Sequence, residues 1–357
     1  MELELEVFPM PFLAIDLQDQ QRQMIINASE EGNELELVQD FIIMGFKGLS
    51  GRQSIFFVIF LLIYLLTVAA NGTIIGLAWI DQRLHTPMYF FLGNYSFLEM
   101  VYVTTTVPKL LEIFLSDNHA ISFSACVTQL FMFSILGIAE CFFLAIMSFD
   151  RYLAICYPLH YVTIMNFKLG IYLVLGCWML GVLFAFFPIF MIASLPFCGP
   201  KKVDHFLCEA TPVLKLSCSD TTVLKTVLSI FACIVIFTSF TFIMVSYTYV
   251  IIAIYKMPSR RGKQKAFSTC SSHLTVVVIF FLTASVMYVS PSEKDILRNQ
   301  VAAVCYSIIT PCLNPFIYSL RNKDMKEALR SVVNRTRGWP MHASIVKVVF
   351  REEKATK

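Results

Sequence analysis

The sequence predicts an all-α membrane protein: a bundle of seven transmembrane helices followed by a short cytoplasmic amphipathic helix. Three observations predict it. The 357 residues are 57% apolar, 14% aromatic and only 15% charged, too apolar for an ordinary soluble domain. Seven stretches approach or exceed the roughly 20 apolar residues that a spanning helix needs. Lys and Arg concentrate in two of the polar segments, which gives the chain an orientation. The net charge of +3 forms no basic stripe, so no nucleic-acid partner is expected. The eleven cysteines include no CxxC pair and no zinc spacing, and no cofactor or metal is expected. No catalytic constellation appears, so the chain is not read as an enzyme.

Residues 1–53 form a polar, acidic tail, in which Glu2, Glu4, Glu6, Asp16, Asp19, Glu30, Glu31, Glu34, Glu36 and Asp40 outweigh Arg22, Lys47 and Arg52. The start is acidic and its apolar run short, so the first spanning helix is expected to direct insertion rather than a signal peptide. Asn27-Ala-Ser29 is a glycosylation sequon in an exposed tail. Asn71-Gly-Thr73 and Asn94-Tyr-Ser96 lie inside apolar runs and Asn334-Arg-Thr336 in the cytosol, so these three should be silent.

The membrane domain covers residues 54–320. Its candidate spans are Ser54–Ile80, Pro87–Leu110, Phe123–Cys156, Gly170–Pro196, Thr222–Tyr255, Phe267–Val289 and Val301–Leu320. Lys256, Arg260, Arg261, Lys263 and Lys265 lie between the fifth and sixth; Arg321, Lys323, Lys326, Arg330, Arg335 and Arg337 follow the seventh. Both groups belong inside, which places the acidic tail outside. Residues 321–357 are then a cytoplasmic tail, whose RNKDMKEALRSVVNR alternates charge and apolar residues as a helix lying on the inner membrane face does.

Two acids fall inside the bilayer. Glu99 lies about 18 Å along its helix from Pro87, and Glu140 about 16 Å from Arg151 on a helix running the other way, so they reach similar depth. Phe133, Gly137, Glu140, Leu144, Met147 and Arg151 recur at helical spacing on one face. A carboxylate at that depth costs at least about 2.5 kcal/mol unless paired, wet or protonated. Glu99 and Glu140 are therefore expected to share a proton or a cation, with Asn71 and Asn314 nearby; two separately satisfied acids is the bland alternative. Cys126 precedes Arg151 by roughly 37 Å of helix and so sits at the outer surface, as does FCGPKKVDHFLCEATPVLKLSC with Cys198, Cys208 and Cys218. Four loop cysteines allow three pairings. His205, Cys208 and Glu209 also resemble a metal donor set, one that a disulfide at Cys208 would dismantle.

The motifs are more specific together than any is singly. MSFDRYLAICYPLHY (147–161) ends the third span, LHTPMYFFL (84–92) opens the second, KAFSTCSSH (265–273) opens the sixth and PCLNPFIYSLRN (311–322) ends the seventh. In these strings, from about Asn27 to Arg337, the chain resembles the tetrapod-type olfactory receptors, a branch of the rhodopsin-like G-protein-coupled receptors. Residues 1–23 would then be an extension or an alternative start.

The resemblance implies a switch. Arg151, in the Asp150-Arg151-Tyr152 triplet, is held by Asp150 at rest and released to a heterotrimeric G protein. Tyr247 is a partner for the freed Arg151. Pro315 kinks the seventh helix, Asn314 satisfies the freed carbonyls and Tyr318 swings. Asn71 matches the family's single polar residue in the first helix. The implied disulfides are Cys126–Cys208 and Cys198–Cys218. The implied ligand positions, between helices three, five, six and seven, are Phe133, Ser134, Gly137, Ile138, Phe231, Ala232, Val235, Phe281, Ala284, Ser285, Tyr288 and Ser307. None is charged, which favours a small, volatile, weakly polar odorant. Phe280-Phe281-Leu282-Thr283 stands where the family reads FYGT. The implied function is odorant binding at the plasma membrane, N-terminus outside, with activation of a stimulatory or olfactory G protein and a rise in cyclic AMP. The same machinery serving recognition outside the nose is one alternative. A transporter or channel is another; it would predict internal repeats or a polar path through the bilayer, and neither is found.

Overall fold

The structure is a computed structural model and describes residues 40–46, 51–116, 118–197, 201–288 and 296–336. Asn27, Cys198 and the segments 1–39 and 337–357 lie outside the described residues. Seven long helices make the bundle: α1 (Gln53–Ile80), α2 (Pro87–Ser116), α3 (Phe123–Cys156), α4 (Phe167–Ala193), α5 (Thr222–Lys256), α6 (Arg260–Tyr288) and α7. The last runs as Ile296–Val304, a π-turn at Cys305–Ile309 and Thr310–Arg321. A surface helix, α8 (Lys323–Thr336), follows. Six of the seven are apolar enough over their length to cross a bilayer. The exception is α2, whose Ser96, Glu99 and Thr106 are buried in the bundle.

Burial separates the helices by role. α3 is the central post, enclosed from Phe123 to Leu153. α1, α4 and α5 present Leu62, Tyr172, Met179, Leu183 and Phe237 outward, each more than half exposed. An apolar surface this large would aggregate in water; around a bundle it is the face that meets lipid tails. The helix ends are set locally. Ser122 accepts from the Ala125 amide to start α3, and Asn166 accepts from the Leu169 amide to start α4. Lys263 donates to the Tyr255 carbonyl at 2.9 Å, satisfying the end of α5 from α6.

Several boundaries differ from the sequence expectation. α2 continues to Ser116, α4 covers Phe167–Ala193, α6 begins at Arg260 and α7 at Ile296. Hydropathy marks only the part of a helix inside hydrocarbon, and these helices carry polar turns beyond it.

The end of the bundle at which α1 begins, termed the outer end, is closed by a small sheet in the order β2-β1-β3, with β1 at Asp40–Ile43, β2 at Ala120–Ser122 and β3 at Lys202–Val203. β1 runs antiparallel to β2 and parallel to β3, so the tail before α1 supplies the central strand. Phe41 and Ile43 point inward and Asp40 and Ile42 outward, the alternation of a half-buried strand. Phe46, just beyond, stacks on Phe206, Phe60 and Phe114.

Pro315 cannot donate a backbone hydrogen bond, which leaves the Pro311 carbonyl without its helical partner. Asn71 Nδ2 of α1 fills that place at 3.2 Å. This corrects the expectation for Asn314, whose amide points instead into the bundle. Pro311 likewise lacks a donor at the end of the π-turn, where the Thr310 hydroxyl bonds to the Cys305 carbonyl at 2.8 Å.

Candidate functional site

A cavity of about 340 Å³ opens in the outer half of the bundle. Among the expected ligand positions, Ser134, Gly137 and Ile138 of α3, Phe231, Ala232 and Val235 of α5, and Ala284 and Tyr288 of α6 line it. Four others do not. Phe133 is buried against Tyr102 and Tyr306, and Phe281 packs on Phe240 and Phe280. Ser285 is half-buried outside the lining, and Ser307 donates to the Ala303 carbonyl. Sequence reasoning missed a whole wall, formed by Phe184, Ala185, Pro188 and Ile189 of α4. It also missed Cys141, Met287 and Tyr306. A Cβ at Gly137 would meet the Tyr306 hydroxyl, so a larger residue there requires the Tyr306 ring to shift.

The cavity roof is the segment Glu209–Leu214, which corrects the expectation of an uncharged lining: Glu209 and, from α5, Lys225 both reach it. The roof is anchored by the Cys126–Cys208 disulfide. Gln129 of α3 accepts from the Cys208 amide at 2.8 Å and donates to the Thr105 carbonyl at 3.0 Å. Cys218 is also disulfide-bonded; its expected partner, Cys198, lies outside the described residues. Burial pushes the His205 imidazole down to about 4 and the Glu209 carboxyl up to about 7, the latter opposed by Lys215. Their side chains approach to 3.9 Å, beyond hydrogen-bond range. Burial favours the neutral form of each, and the imidazole loses its proton before the carboxyl does, so the contact is not an ion pair. With Cys208 consumed, the described residues hold no group of three metal donors.

Below the cavity lies a polar layer that joins three of its four expected members, Glu99, Glu140 and Asn314, to Tyr95, which was not foreseen. Tyr95 donates to Glu140 Oε1 at 2.9 Å, and Asn314 Nδ2 donates to both the Tyr95 hydroxyl (3.1 Å) and Glu99 Oε1. Glu99, Glu140 and Asn314 are at most 2% exposed. Asn71 is not bonded to either acid; it serves α7 and its own Thr67 carbonyl. The second oxygen of each acid has no bonding partner among the described residues.

At the inner end, Arg151 Nη2 pairs with Asp150 Oδ2 at 2.9 Å, and Tyr161 donates to Asp150 Oδ1 at 2.7 Å. Asp150 is 1% exposed, so its two partners offset the cost of burying it. A cavity of about 40 Å³, room for a water, lies among Arg151, His273, Tyr318 and Asn322. The Tyr247 hydroxyl bonds His273 Nδ1 at 2.8 Å rather than Arg151. Tyr318 meets Tyr95 edge-on at 6.2 Å. Tyr152 packs on Tyr157 and Tyr249. α8 is held by Tyr89, which donates to Asn322 at 2.9 Å, and by an Arg83–Glu327 pair at 3.5 Å.

Comparison with known proteins agrees with this arrangement. The sequence profile described as "Olfactory receptor" matches residues 60–335. Human olfactory receptor 11G2 is 49% identical over 291 residues, covering 81% of this chain and 84% of that protein. Human olfactory receptor 11H6 is 47% identical, covering 86% and 93%. Rat olfactory receptor 1f45 is 44% identical, covering 83% and 95%. With a seven-helix membrane bundle and these relatives, the chain belongs to the olfactory receptor family of G-protein-coupled receptors and is not an enzyme.

Proposed function

We propose that this receptor binds small, volatile, predominantly apolar odorants in the 340 Å³ cavity and signals through a stimulatory or olfactory G protein to raise cyclic AMP. The observation that carries the reading is the cavity itself. It is at the small end of the roughly 300–1,000 Å³ typical of ligand pockets, and apart from the roof and Lys225 it is walled by apolar side chains and hydroxyls. The receptor works at the plasma membrane with its N-terminal tail outside, glycosylated at Asn27. The inner surface around Arg151 is the docking face for the G protein. The layer of Glu99, Tyr95, Asn314 and Glu140 lies between the two and holds a shared proton or cation. Ligand contacts that differ between closed and open bundles shift the population toward the open form.

The experiment is an odorant panel applied to transfected cells with cyclic AMP as readout. Concentration-dependent responses to small apolar odorants, abolished by bulky substitution at Ser134 or Ala232, are expected. Responses that survive those substitutions would move the site elsewhere. Cyclic AMP that stays flat while another second messenger rises would overturn the coupling.

A further inference from the structure

The cavity's roof and its α4–α5 wall are built differently. The roof is tied covalently at Cys126–Cys208 and by the Gln129 bond, with the sheet above it. The wall is not tied in that way. α4 and α5 each pack chiefly on α3, not on one another. Gly181 permits the α3 contact: a Cβ there would come within 2.9 Å of the Ile135 carbonyl, so its absence lets α4 close on α3. Pro188, inside α4, leaves one helical hydrogen bond of this wall unmade at cavity height.

What spans the gap is aromatic. Phe231 of α5 meets Phe184 edge-on at 6.2 Å and stacks on Phe187 at 6.5 Å. Phe231 and Phe184 line the cavity, while Phe187 is 52% exposed on the lipid face. Phe231 lies roughly 9 Å of helix below Lys225, in the outer half of the hydrocarbon.

We propose that ligand reaches the cavity sideways from the outer leaflet, through the α4–α5 seam, and that Phe231 is the side chain that gates it. A rotation of one phenylalanine, held by two ring contacts and no hydrogen bond, opens this path. Opening the roof would require breaking backbone pairing and moving a disulfide-tethered loop. An apolar odorant concentrates in lipid, so the seam faces the phase that holds the ligand. The proposal rests on the cavity being the ligand site.

The test measures access chemically, so it does not depend on knowing the odorant. Val235→Cys, in a Cys233→Ala background that removes the neighbouring native thiol, places a thiol in the cavity wall one turn below Phe231. The receptor, in phosphatidylcholine nanodiscs, is exposed to neutral methyl methanethiosulfonate or to its charged sulfonatoethyl analogue, and modification at that peptide is followed by mass spectrometry. The neutral reagent should react faster than the charged one. Adding Phe231→Trp should slow it, and adding Phe187→Ala should speed it, each by roughly two- to tenfold, the worth of one aromatic contact. Gln129→Ala, which loosens the roof, should leave the rate unchanged. Equal rates for the two reagents, indifference to both seam substitutions, or control by Gln129 would overturn the proposal. If Phe231→Trp does not fold, Phe187→Ala, on the lipid side, carries the test. A silent odorant panel with a seam-controlled rate would remove the ligand reading alone; an active panel with a seam-independent rate would remove the gate alone.

Discussion

Asn71 of α1 donates its side-chain amide to the Pro311 carbonyl of α7, the acceptor that Pro315 leaves open. Two helices far apart in sequence are thus joined at the point where α7 lacks a backbone donor. Asn71→Ala should lower the melting temperature of the purified receptor, at a cost of about 0.6–2 kcal/mol, the range for such bonds inside membranes. An unchanged melting temperature would mean that α7 finds another donor.

The polar layer makes a second prediction. Glu99 and Glu140 are linked through Tyr95 and Asn314, so removing the charge of either acid changes what the other experiences. Glu99→Gln and Glu140→Gln should each change basal cyclic AMP in transfected cells several-fold, and Tyr95→Phe should make their effects additive. Basal and agonist responses unchanged in both single variants would show two independently satisfied acids.

The roof predicts a pH profile. His205 falls from 6.5 to about 4 and Glu209 rises from 4.5 to about 7 on folding. Between pH 4.5 and 6.5 the unfolded pair holds its proton on His205 and the folded pair holds it on Glu209, so the count is equal and the pair contributes a plateau. Above 6.5 the folded state holds the extra proton and stability falls as pH rises through 7; below 4.5 the unfolded state holds it and stability falls as pH drops. In thermal unfolding, Glu209→Gln should remove the alkaline loss and keep the acid one. His205→Gln should do the reverse.

The inner end predicts opposite effects from two bonded residues. Tyr247 and His273 join α5 to α6 beside Arg151. His273→Ala frees α6 and should raise basal cyclic AMP a few-fold. Tyr247→Phe removes the same bond together with the proposed active-state partner of Arg151, and should lower the maximal agonist response. A matching fall in both would mark the pair as packing only.

Much of this fold is legible in hydropathy and charge, because lipid imposes one requirement on every span. Spacing places Glu140 on the same helical face as Arg151, and the structure buries it. Two features were not legible. α4 is apolar all round, so no period reveals which of its faces meets the cavity, and Phe184 and Pro188 carry no signal. The rotation of neighbouring helices is also absent from any one helix's pattern. Phe133 and Ser134 are adjacent, yet about 100° of helical turn sends one into the core and the other to the cavity. The Asn71–Pro311 bond depends on two such rotations at once. The signal that could have found it was the missing donor at Pro315, followed to its i−4 carbonyl.

The central strand of the outer sheet is the one the ribosome makes first. Asp40–Ile43 cannot be paired on both edges until Lys202–Val203 has been translated, four spans later. Until then only the edge facing Ala120–Ser122 can be paired, and the backbone donors and acceptors of the other edge stay open. Completion of this three-stranded clasp is thus a late step in biogenesis. Lesions in Phe41 or Val203 should therefore appear as receptors retained before they reach the surface, rather than as surface receptors with altered odour response.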